Sequence, residues 1–399
     1  MHRNILDSMI QKNQSDGGVK MVDQERFLKA LGDGGVDFFT GVPDSYLNGF
    51  CNCLLQNVPA EKNVIAANEG NAVAIACGYY FSTGRIPLVY MQNSGMGNAV
   101  NPLLSLASKD VYGVPMVLLI GWRGEPGTDD HVQHKMQGEL TPTFLDMMEI
   151  PFIIAEDDDD LLEKQVRKLL AIAKRDRSIV AIVARKGVFA AERKSTAPVK
   201  NGYSLFREEA IEILLDVMPK DAIFVATTGR ATRELYFLRE KRGEGHSCDF
   251  LNVGSMGHAS SVAFGLALEN KKRKVVCLDG DCAALMHMGA FSMVSHFDVP
   301  NFFHVVLNNG AHESVGGQPS AGMKVDFTTI AQGAGYQTVG HPVSTKEEII
   351  TAVEDLVECG KAAFLDVRIK KGLSGTLPPL RISSYSKLID EFMNELKQK

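Results

Sequence analysis

The sequences VVCLDGD at 275–281 and FFHVVLNNG at 302–310 decide the fold of this chain. Each is an apolar run of strand length that ends in polar and glycine residues, and residues 283–296 between them have helical spacing. This pattern predicts a βαβ unit, whose parallel strands end at the same edge of a sheet. Asp281 and Asn309 should therefore converge, and their oxygens suit Mg²⁺, which also favours phosphate oxygens. Either turn alone is common, but the two together at this spacing favour a metal and phosphate site.

Composition and charge exclude several classes of protein. The chain has 399 residues and 45% of them are hydrophobic, which is enough for two or three packed domains. The net charge of −6 argues against a dominant nucleic-acid surface. No apolar run reaches the roughly 18 residues of a membrane span and no signal peptide is evident, so we expect a cytoplasmic protein without a membrane partner. The seven scattered cysteines predict reduced thiols rather than a zinc site.

Alternating strand and helix patterns continue along the chain and predict two doubly wound α/β halves with parallel sheets. The first half covers residues 21–187 and the second covers 203–399. The linker between them, 188–202, is rich in Gly, Pro, Ser, Thr and Lys. Residues 1–20 are polar and predict a loosely held extension. The acidic run 157–160 begins a helix, and the helix dipole explains it without a bound cation.

Two further loops of the second half precede predicted helices. The sequence TTGR at 227–230 follows a strand, so its backbone amides can face an anion. The sequence GSMGH at 254–258 opens another helix, and a glycine turn at a helix start explains it without a ligand. His312 follows the asparagine pair and is either an ordinary loop histidine or a neighbour of the metal turn.

Two loops of the first half contain candidate polar residues. Glu69, in NEGNA at 68–72, begins a helix, where a carboxylate is often only a favourable N-terminal charge. The loop NSGMGN at 93–98 begins with Asn93, a candidate to line a cleft. This loop lacks the third glycine of a dinucleotide fingerprint, which argues against a Rossmann dehydrogenase.

Two other loops of the first half are candidates for substrate contacts. The loop GVPDSY carries Asp44 and Ser45, although a Pro-Asp turn at a strand end is also common. A long loop at 122–134 carries Arg123 and His134, although charged loops are usually only solvated. Arg123 is the first choice for binding an anion and His134 the second, because a guanidinium offers a bidentate fork.

The motifs around Asp281 and Asn309, together with Glu69, resemble those of the thiamine diphosphate-dependent 2-oxoacid decarboxylases. The resemblance covers roughly residues 21–375. It implies a pyrimidine-binding domain and a diphosphate-binding domain without the family's frequent middle domain. Thiamine diphosphate and Mg²⁺ are the implied cofactors. Cys282 departs from the family pattern, which has a glycine there, and this departure is tolerable only if the backbone avoids a positive φ.

The resemblance assigns roles residue by residue. Glu69 would hydrogen-bond to the aminopyrimidine and activate the cofactor, and Met256 would bend it. The implied metal ligands are the side chains of Asp281 and Asn309 and the carbonyl of Ala311, with Asn308 as the alternative amide. The other implied cofactor contacts are Thr228, Gly229, Gly254, Gly280 and Gly310.

The resemblance is strongest to members that act on pyruvates with a tetrahedral anion on C3. It implies non-oxidative decarboxylation of 3-phosphonopyruvate to phosphonoacetaldehyde and CO₂ in phosphonate biosynthesis. Sulfopyruvate decarboxylation is the alternative, and a scaffold that binds a ligand without turnover is a more remote one. A homo-oligomer is also implied, with each active site between the first half of one subunit and the second half of another. The candidates for catalysis are Glu69, Asp44, Ser45 and His312, and those for substrate binding are Asp44, Ser45, Asn93, Arg123 and His134.

Overall fold

The computed structural model describes residues 21–190, 202–378, 380 and 382–397. It confirms the predicted α/β fold, because each half of the chain forms one parallel sheet with helices packed against it. The predicted extension at 1–20 and most of the predicted linker lie outside the described residues, and the domain boundaries remain predictions. Within the part that is described, no helix is long and apolar enough to cross a membrane.

The first half alternates strands with helices throughout. Its elements are α1 Gln24–Asp33, β1 Val36–Gly41, α2 Asn48–Asn57, β2 Asn63–Ile65, α3 Glu69–Thr83, β3 Ile86–Gln92, α4 Met96–Pro102, β4 Met116–Gly121, α5 Val132–Met147, β5 Phe152–Ala155, α6 Asp159–Asp176 and β6 Ile179–Ala184. The six strands pair in the order β2-β1-β3-β4-β6-β5, all parallel. The helix predicted to begin at the acidic run is α6, and Asp158 before its first turn accepts from the backbone N–H of Leu161 at 3.0 Å.

The second half has the same architecture with one strand fewer. Its elements are α7 Arg207–Val217, β7 Ile223–Ala226, α8 Arg230–Lys241, β8 Asp249–Leu251, α9 Ala259–Glu269, β9 Val275–Gly280, α10 Asp281–Met286, β10 Phe302–Asn308, β11 Ala311–His312, β12 Gln318–Pro319, α11 Phe327–Gly333, α12 Lys346–Val357, β13 Ala363–Arg368 and α13 Tyr385–Lys397. Five strands form a parallel sheet in the order β13-β10-β9-β7-β8, and β11 pairs with β12 as a short antiparallel ribbon.

Both parallel sheets are buried on both faces. Along β4, Val117 and Leu119 pack on one face, while Leu118 and Ile120 pack on the other. Continuous apolar strands of this kind are typical of parallel sheets covered by helices. Apolar side chains therefore fill both faces of each sheet, and the functional polar side chains lie at the strand ends. Val188, at the start of the predicted linker, still packs in the core of the first half.

The carboxyl ends of the two sheets face one cleft between the halves. Segments that follow β2, β3 and β4 line it from the first half, and segments that follow β7, β8, β9 and β10 line it from the second. Hydrogen bonds join the halves: Asn68 Nδ2 donates to the Met286 carbonyl at 3.2 Å, and Gln318 Nε2 donates to Asn48 Oδ1 at 2.9 Å and to Asn52 Oδ1 at 3.5 Å. Because the strands of each sheet run in the same direction, segments that are far apart in sequence meet at this cleft.

Two local predictions are wrong. The loop predicted at 122–134 runs into helix α5, which the sequence pattern hides because Gly138 and Pro142 lie inside it. The helix predicted at 283–296 is interrupted at His287, where φ is −131° and ψ is 45°, and continues as a 3₁₀ segment. The ring of His287 lies 4.3 Å from that of His258, so a tertiary contact accompanies the break and overrides local propensity.

Helix α5 contacts the loop after β4 through a glycine. A Cβ atom at Gly138 would lie 1.7 Å from the carbonyl oxygen of Gly124, so no larger residue fits. Trp122 Nε1 also donates to the Gly138 carbonyl at 2.9 Å. This contact places the first turn of α5 over the cleft.

The variant Gly138→Ala should lower the free energy of unfolding by about 2 kcal/mol, because the helix must move off the loop and strain the Trp122 hydrogen bond. Gly78→Ala is the matched control, since Gly78 is an exposed helical glycine whose added Cβ would meet no atom within 4 Å. That change should raise stability by roughly 0.5–1 kcal/mol. Urea unfolding followed through the fluorescence of Trp122 measures both, and equal stabilities would contradict this account of the docking.

Candidate active site

The cleft between the halves has a volume of about 570 Å³ and contains most of the predicted site residues. The predicted residues that line it are Ser45, Glu69, Arg123, His134, Thr228, Gly229, Gly254, Met256, Gly280, Asp281, Asn309, Ala311 and His312. Three others, Asp44, Asn93 and Gly310, are not among its lining residues. Both halves of a single chain therefore contribute to one site.

Glu69 is a buried carboxylate that faces the cleft from the start of α3. It is 5% exposed, and its Oε2 accepts from Asn98 Nδ2 at 2.8 Å. A Cβ atom at Gly95 would lie 2.2 Å from Oε1, so only glycine leaves room for the carboxylate in this position. Burial raises the pKa of Glu69, and no neighbouring charge opposes that effect. Glu69 can therefore hold a proton more readily than an exposed glutamate and form a hydrogen bond with a ring nitrogen.

Asp281 is the corresponding buried carboxylate of the second half. It begins α10 immediately after β9 and is 2% exposed. Burial raises its pKa, while hydrogen bonds from the Ser320 hydroxyl and the backbone N–H of Asn309 oppose the rise. Within the described part of the chain, no basic side chain forms an ion pair with Asp281. A buried carboxylate without a cationic partner fits a divalent cation, which would neutralise it.

The two neighbouring asparagines point in different directions. Asn308 is fully buried behind the cleft, where its Nδ2 donates to the Gly322 carbonyl at 2.9 Å. Asn309 lines the cleft, and its Oδ1 accepts from the backbone N–H of Ala311 at 3.0 Å. The amide of Asn309 is therefore the one that can reach a cation beside Asp281. Its Nδ2 donates to Glu313, which fixes the side chain so that the oxygen keeps a free lone pair.

Cys282 replaces the expected glycine without strain. Gly280 has a φ of −112°, and Cys282 is not among the residues with a positive φ, so neither position requires the freedom of glycine. The Cys282 Sγ lies 3.7 Å from Asp281 Oδ2. Burial raises the pKa of this thiol well above its usual range, and the carboxylate adds to the rise, so it remains protonated beside the proposed metal ligand.

The two predicted turns of the second half, 227–230 and 254–258, each contain a glycine with a positive φ, which lets a bound molecule come close to the backbone. Gly229 has a φ of 100° and begins α8, and Gly257 has a φ of 82°. A Cβ atom at Gly257 would lie 2.6 Å from the ring of His287, so this turn requires glycine. Met256 is half-buried on the cleft side of the same turn. These loops can bring backbone groups and one flexible apolar side chain against a bound molecule.

Arg123 is in the cleft as predicted, but its charge is already compensated. Its Nε and Nη2 donate to the two carboxylate oxygens of Asp130 at 2.7 and 2.5 Å. Its Nη1 donates to Ser45 Oγ at 3.1 Å, and the guanidinium lies over the ring of Tyr46. This pair and its hydrogen bonds hold the pKa of Asp130 well below its usual range, although burial acts in the opposite direction. Whether Arg123 binds the anionic group of a substrate remains a prediction.

Asp44 and Asn93 lie behind the wall of the cleft. Asp44 is fully buried, and its Oδ2 accepts from the backbone N–H of Tyr46 at 2.9 Å. Burial raises the pKa of Asp44 to about 6. Asn93 Nδ2 donates to the Arg123 carbonyl and to Thr141 Oγ1, the latter at 3.0 Å, and Asn93 Oδ1 accepts from the backbone N–H of Arg123. In this geometry both side chains position the loops that face the cleft, and their predicted direct roles are untested.

The two predicted histidines line the cleft as neutral groups. Burial lowers the pKa of His134 to about 4, and the nearby charge of Arg123 adds to the effect. Burial alone lowers the pKa of His312 to about 4. At neutral pH each imidazole can therefore donate one hydrogen bond and accept another, but neither supplies a positive charge.

A buried polar cluster lies under the turn at Asp281. One ligand atom each of Cys277, Asp279 and His304 lies within 4.8 Å of the others, and His304 Nε2 is 3.3 Å from Asp279 Oδ2. Asp279 also accepts from the backbone N–H of Gly280 at 3.0 Å. The Asp279 carboxylate is thus hydrogen-bonded by His304 and by the backbone of Gly280, and these contacts stabilise the turn that carries Asp281.

Sequence reasoning missed a network of arginines and glutamates on the second-half wall. Arg207 pairs with Glu234 at 2.9 Å and with Glu313 at 2.7 Å. Arg230 pairs with the other oxygen of Glu313 at 3.2 Å. Arg233, one turn further along α8, also lines the cleft. The only signal in the sequence is the spacing of two arginines at the start of a helix, which usually indicates a solvated face.

Comparisons with known proteins agree with this geometry. Residues 23–147 match the family model of the thiamine pyrophosphate enzyme N-terminal TPP binding domain. Residues 228–367 match the model of the C-terminal TPP binding domain of the same enzymes. The two matched regions carry the Glu69 wall and the Asp281 wall of the cleft, respectively.

Curated relatives span most of the chain. Phosphonopyruvate decarboxylase of Streptomyces viridochromogenes is 33% identical over 352 residues, which cover 85% of this chain and 86% of the relative. Phosphonopyruvate decarboxylase of Streptomyces hygroscopicus is 30% identical, with 94% of this chain and 95% of the relative covered. Sulfopyruvate decarboxylase of Methanosarcina acetivorans is 27% identical, with 88% and 92% covered.

Proposed function

Because this chain belongs to the thiamine pyrophosphate enzymes, we propose that it decarboxylates 3-phosphonopyruvate. The products are phosphonoacetaldehyde and CO₂, with one proton taken up and the carbon–phosphorus bond kept. The observation that carries the proposal is the placement of Glu69 and Asp281, two buried carboxylates without cationic partners, in one cleft. Two relatives at 33% and 30% identity bear the name of this activity.

The second-half wall supplies the groups that hold the cofactor. The side chains of Asp281 and Asn309 and the carbonyl of Ala311 would bind Mg²⁺, because hard oxygen ligands suit that ion. Backbone groups at Thr228, Gly229 and Gly280 would bind the diphosphate, whereas Gly310 does not line the cleft. Gly254 and Met256 would contact the pyrimidine and the bend of the cofactor. When bound, thiamine diphosphate supplies the electron sink for the breaking bond between the keto carbon and the carboxylate.

Glu69 holds the proton that the pyrimidine requires. Its pKa is raised and Asn98 binds its Oε2, so Oε1 can donate to a ring nitrogen. Its function is therefore acid–base catalysis toward the cofactor.

The proton for the product carbon comes from the substrate side of the cleft. Ser45 and His312 both line the cleft, whereas Asp44 is behind its wall. We propose that His312 relays this proton from water, because a neutral imidazole can accept a proton at one ring nitrogen while it releases another from the second. Ser45 is held by Arg123 and orients the substrate beside it.

Sulfopyruvate decarboxylation is the second candidate function. The methanogen relative at 27% identity bears that name, and a sulfonate is also a tetrahedral anion on C3. A scaffold without turnover is disfavoured, because a site that has lost catalysis has no need of both Glu69 and the Asp281 and Asn309 pair. Phosphonopyruvate remains the proposal because its relatives are more similar, at 33% and 30% identity against 27%.

We further propose a cytoplasmic homo-oligomer. Helix α5 exposes an apolar row, Val132, Met136 and Leu140, whose exposed fractions are 57%, 72% and 53%. Exposed apolar stripes of this kind mark contacts with another chain, and a second copy is the proposed partner. Both halves of one chain line the cleft in this structure. The expectation that the first half of one subunit and the second half of another form each site therefore stays a prediction.

The substrate assignment is tested by CO₂ release from phosphonopyruvate, sulfopyruvate and pyruvate, assayed side by side with thiamine diphosphate and Mg²⁺. We expect kcat/KM for phosphonopyruvate to exceed each of the others by about 10-fold or more, because the site recognises the anion on C3. Phosphorus NMR should show a product that retains the carbon–phosphorus bond, and Glu69→Ala should abolish its formation. Equal or better turnover of sulfopyruvate would contradict the choice of substrate.

The role of Glu69 is tested without altering Glu69 itself. Gly95→Ala places a methyl group where the carboxylate lies, so kcat should fall by about 100-fold or more. Gly97→Ala is the matched control, because Gly97 is exposed in the next turn and its added Cβ would meet no atom within 4 Å. Gly97→Ala should retain near-normal turnover. Similar activity in the two variants would show that the position of Glu69 does not matter.

A further inference from the structure

One arginine of the cleft forms no ion pair with a carboxylate among the residues that the structure describes. The guanidinium groups of Arg123, Arg207, Arg230 and Arg233 all line the cleft. Arg123 is bound by Asp130, and Arg207 is bound by Glu234 and Glu313. An anion that replaced either set would have to displace buried carboxylates, which is costly. These two arginines are therefore parts of the framework.

Arg233 differs from the other three in its contacts. Its Nε donates to the Gly229 carbonyl at 3.2 Å, so the side chain folds back along the first turn of α8 toward the cleft. Within the described part of the chain, it forms no ion pair with a carboxylate. Burial lowers the pKa of Arg233 and the positive charge of Arg230 adds to the effect, while the charge of Glu234 opposes it. A guanidinium remains protonated regardless, so the protein maintains a half-buried positive charge at this point.

The network around Arg233 has an excess of positive charge. Three arginines, Arg207, Arg230 and Arg233, share two carboxylates, Glu234 and Glu313. The sum within this network is one net positive charge, separate from the carboxylates of Asp279 and Asp281 on the same wall. Because unpaired buried charge is unfavourable, an anionic ligand bound here would stabilise the site.

A second observation at the same place points to a ligand. Thr227 is 6% exposed and lines the cleft, and its Oγ1 is buried without a hydrogen-bond partner. It lies at the end of β7, in the turn that leads to Arg230 and Arg233. Buried hydroxyl groups are normally paired, so an unpaired one in the lining of the same cleft as the arginines marks a position for an acceptor.

We propose that Arg233, supported by Arg230 and Thr227, binds a phosphoryl-type oxyanion in the cleft. A guanidinium binds such a group through paired, charge-assisted hydrogen bonds. The C3 phosphonate of the substrate and the diphosphate of the cofactor share this chemistry. The inference rests on the proposed function for the identity of the substrate, but the excess positive charge of the arginine and glutamate network is independent of it.

The test separates the two oxyanions with measurements that do not require turnover. Binding of thiamine diphosphate with Mg²⁺ is followed through Trp122 fluorescence. Binding of 3-phosphonopropionate, a non-reactive analogue, to the cofactor-loaded protein is followed by calorimetry. The variants are Arg233→Gln and Arg233→Lys. The control is Lys241→Ala, which removes a charge from the same helix at a side chain that is 68% exposed.

Arg233→Gln should lower the affinity for one of the two ligands by about 10- to 100-fold, because charge-assisted hydrogen bonds are lost. Arg233→Lys should recover part of the loss, since it keeps the charge but not the fork. Weaker 3-phosphonopropionate with unchanged cofactor binding assigns Arg233 to the phosphonate, and the reverse assigns it to the diphosphate. If both affinities change no more than in Lys241→Ala, the proposal is overturned.

These outcomes are distinct from failure of the proposed function. If the protein does not decarboxylate phosphonopyruvate, the two binding measurements can still be made. Thermal unfolding of each variant shows whether the fold is retained. Because the side chain is on the surface of the cleft and carries no ion pair within the described residues, Arg233→Gln should unfold within a few degrees of the parent chain.

Discussion

The site depends on one geometric constraint: all strands of a parallel sheet end at the same edge. Two such edges, one from each half, face a single cleft. Side chains that follow β2, β3 and β4 therefore meet side chains that follow β7, β9 and β10, although up to about 240 residues separate them in sequence. The sheet interiors are closed by apolar packing on both faces, so polar and charged residues accumulate where the strands stop.

The charges at these edges divide into satisfied and unsatisfied groups. Arg123 with Asp130, and Arg207 with two glutamates, form closed pairs that shape the walls. Glu69, Asp281 and Arg233 are desolvated without an oppositely charged partner among the described residues. Uncompensated buried charge is unfavourable in an empty site and favourable in one that receives a base, a cation and an anion. A pyrimidine, a magnesium ion and a phosphoryl group meet these three needs.

The sequence predicted the fold and the position of the strand-end residues well, because apolar runs and glycine turns are local signals. It predicted that Asp281 and Asn309 would converge, and both line the cleft. It did not predict helix α5, whose Gly138 and Pro142 mimic a loop and whose apolar side chains face outward. As a result His134 was expected on a loop, although it lies in the first turn of a helix.

The importance of Arg233 was not predictable from sequence, because it depends on which other arginines are already paired. Arg123 was the natural candidate for an anion, and only the three-dimensional structure shows Asp130 across from it. Likewise, the choice between Asn308 and Asn309 required the register of β10, which turns one amide toward Gly322 and the other toward the cleft. Pairing and side-chain direction are tertiary properties with no local pattern.

The central claim is that two buried carboxylates from the two halves build one magnesium-dependent cofactor site. Titration of thiamine diphosphate into the cofactor-free protein, followed through Trp122 fluorescence, tests it most directly. The account predicts saturable binding of one cofactor per chain with Mg²⁺ and much weaker binding when a chelator removes the metal. Binding that is absent, or that has the same affinity with and without Mg²⁺, would contradict it.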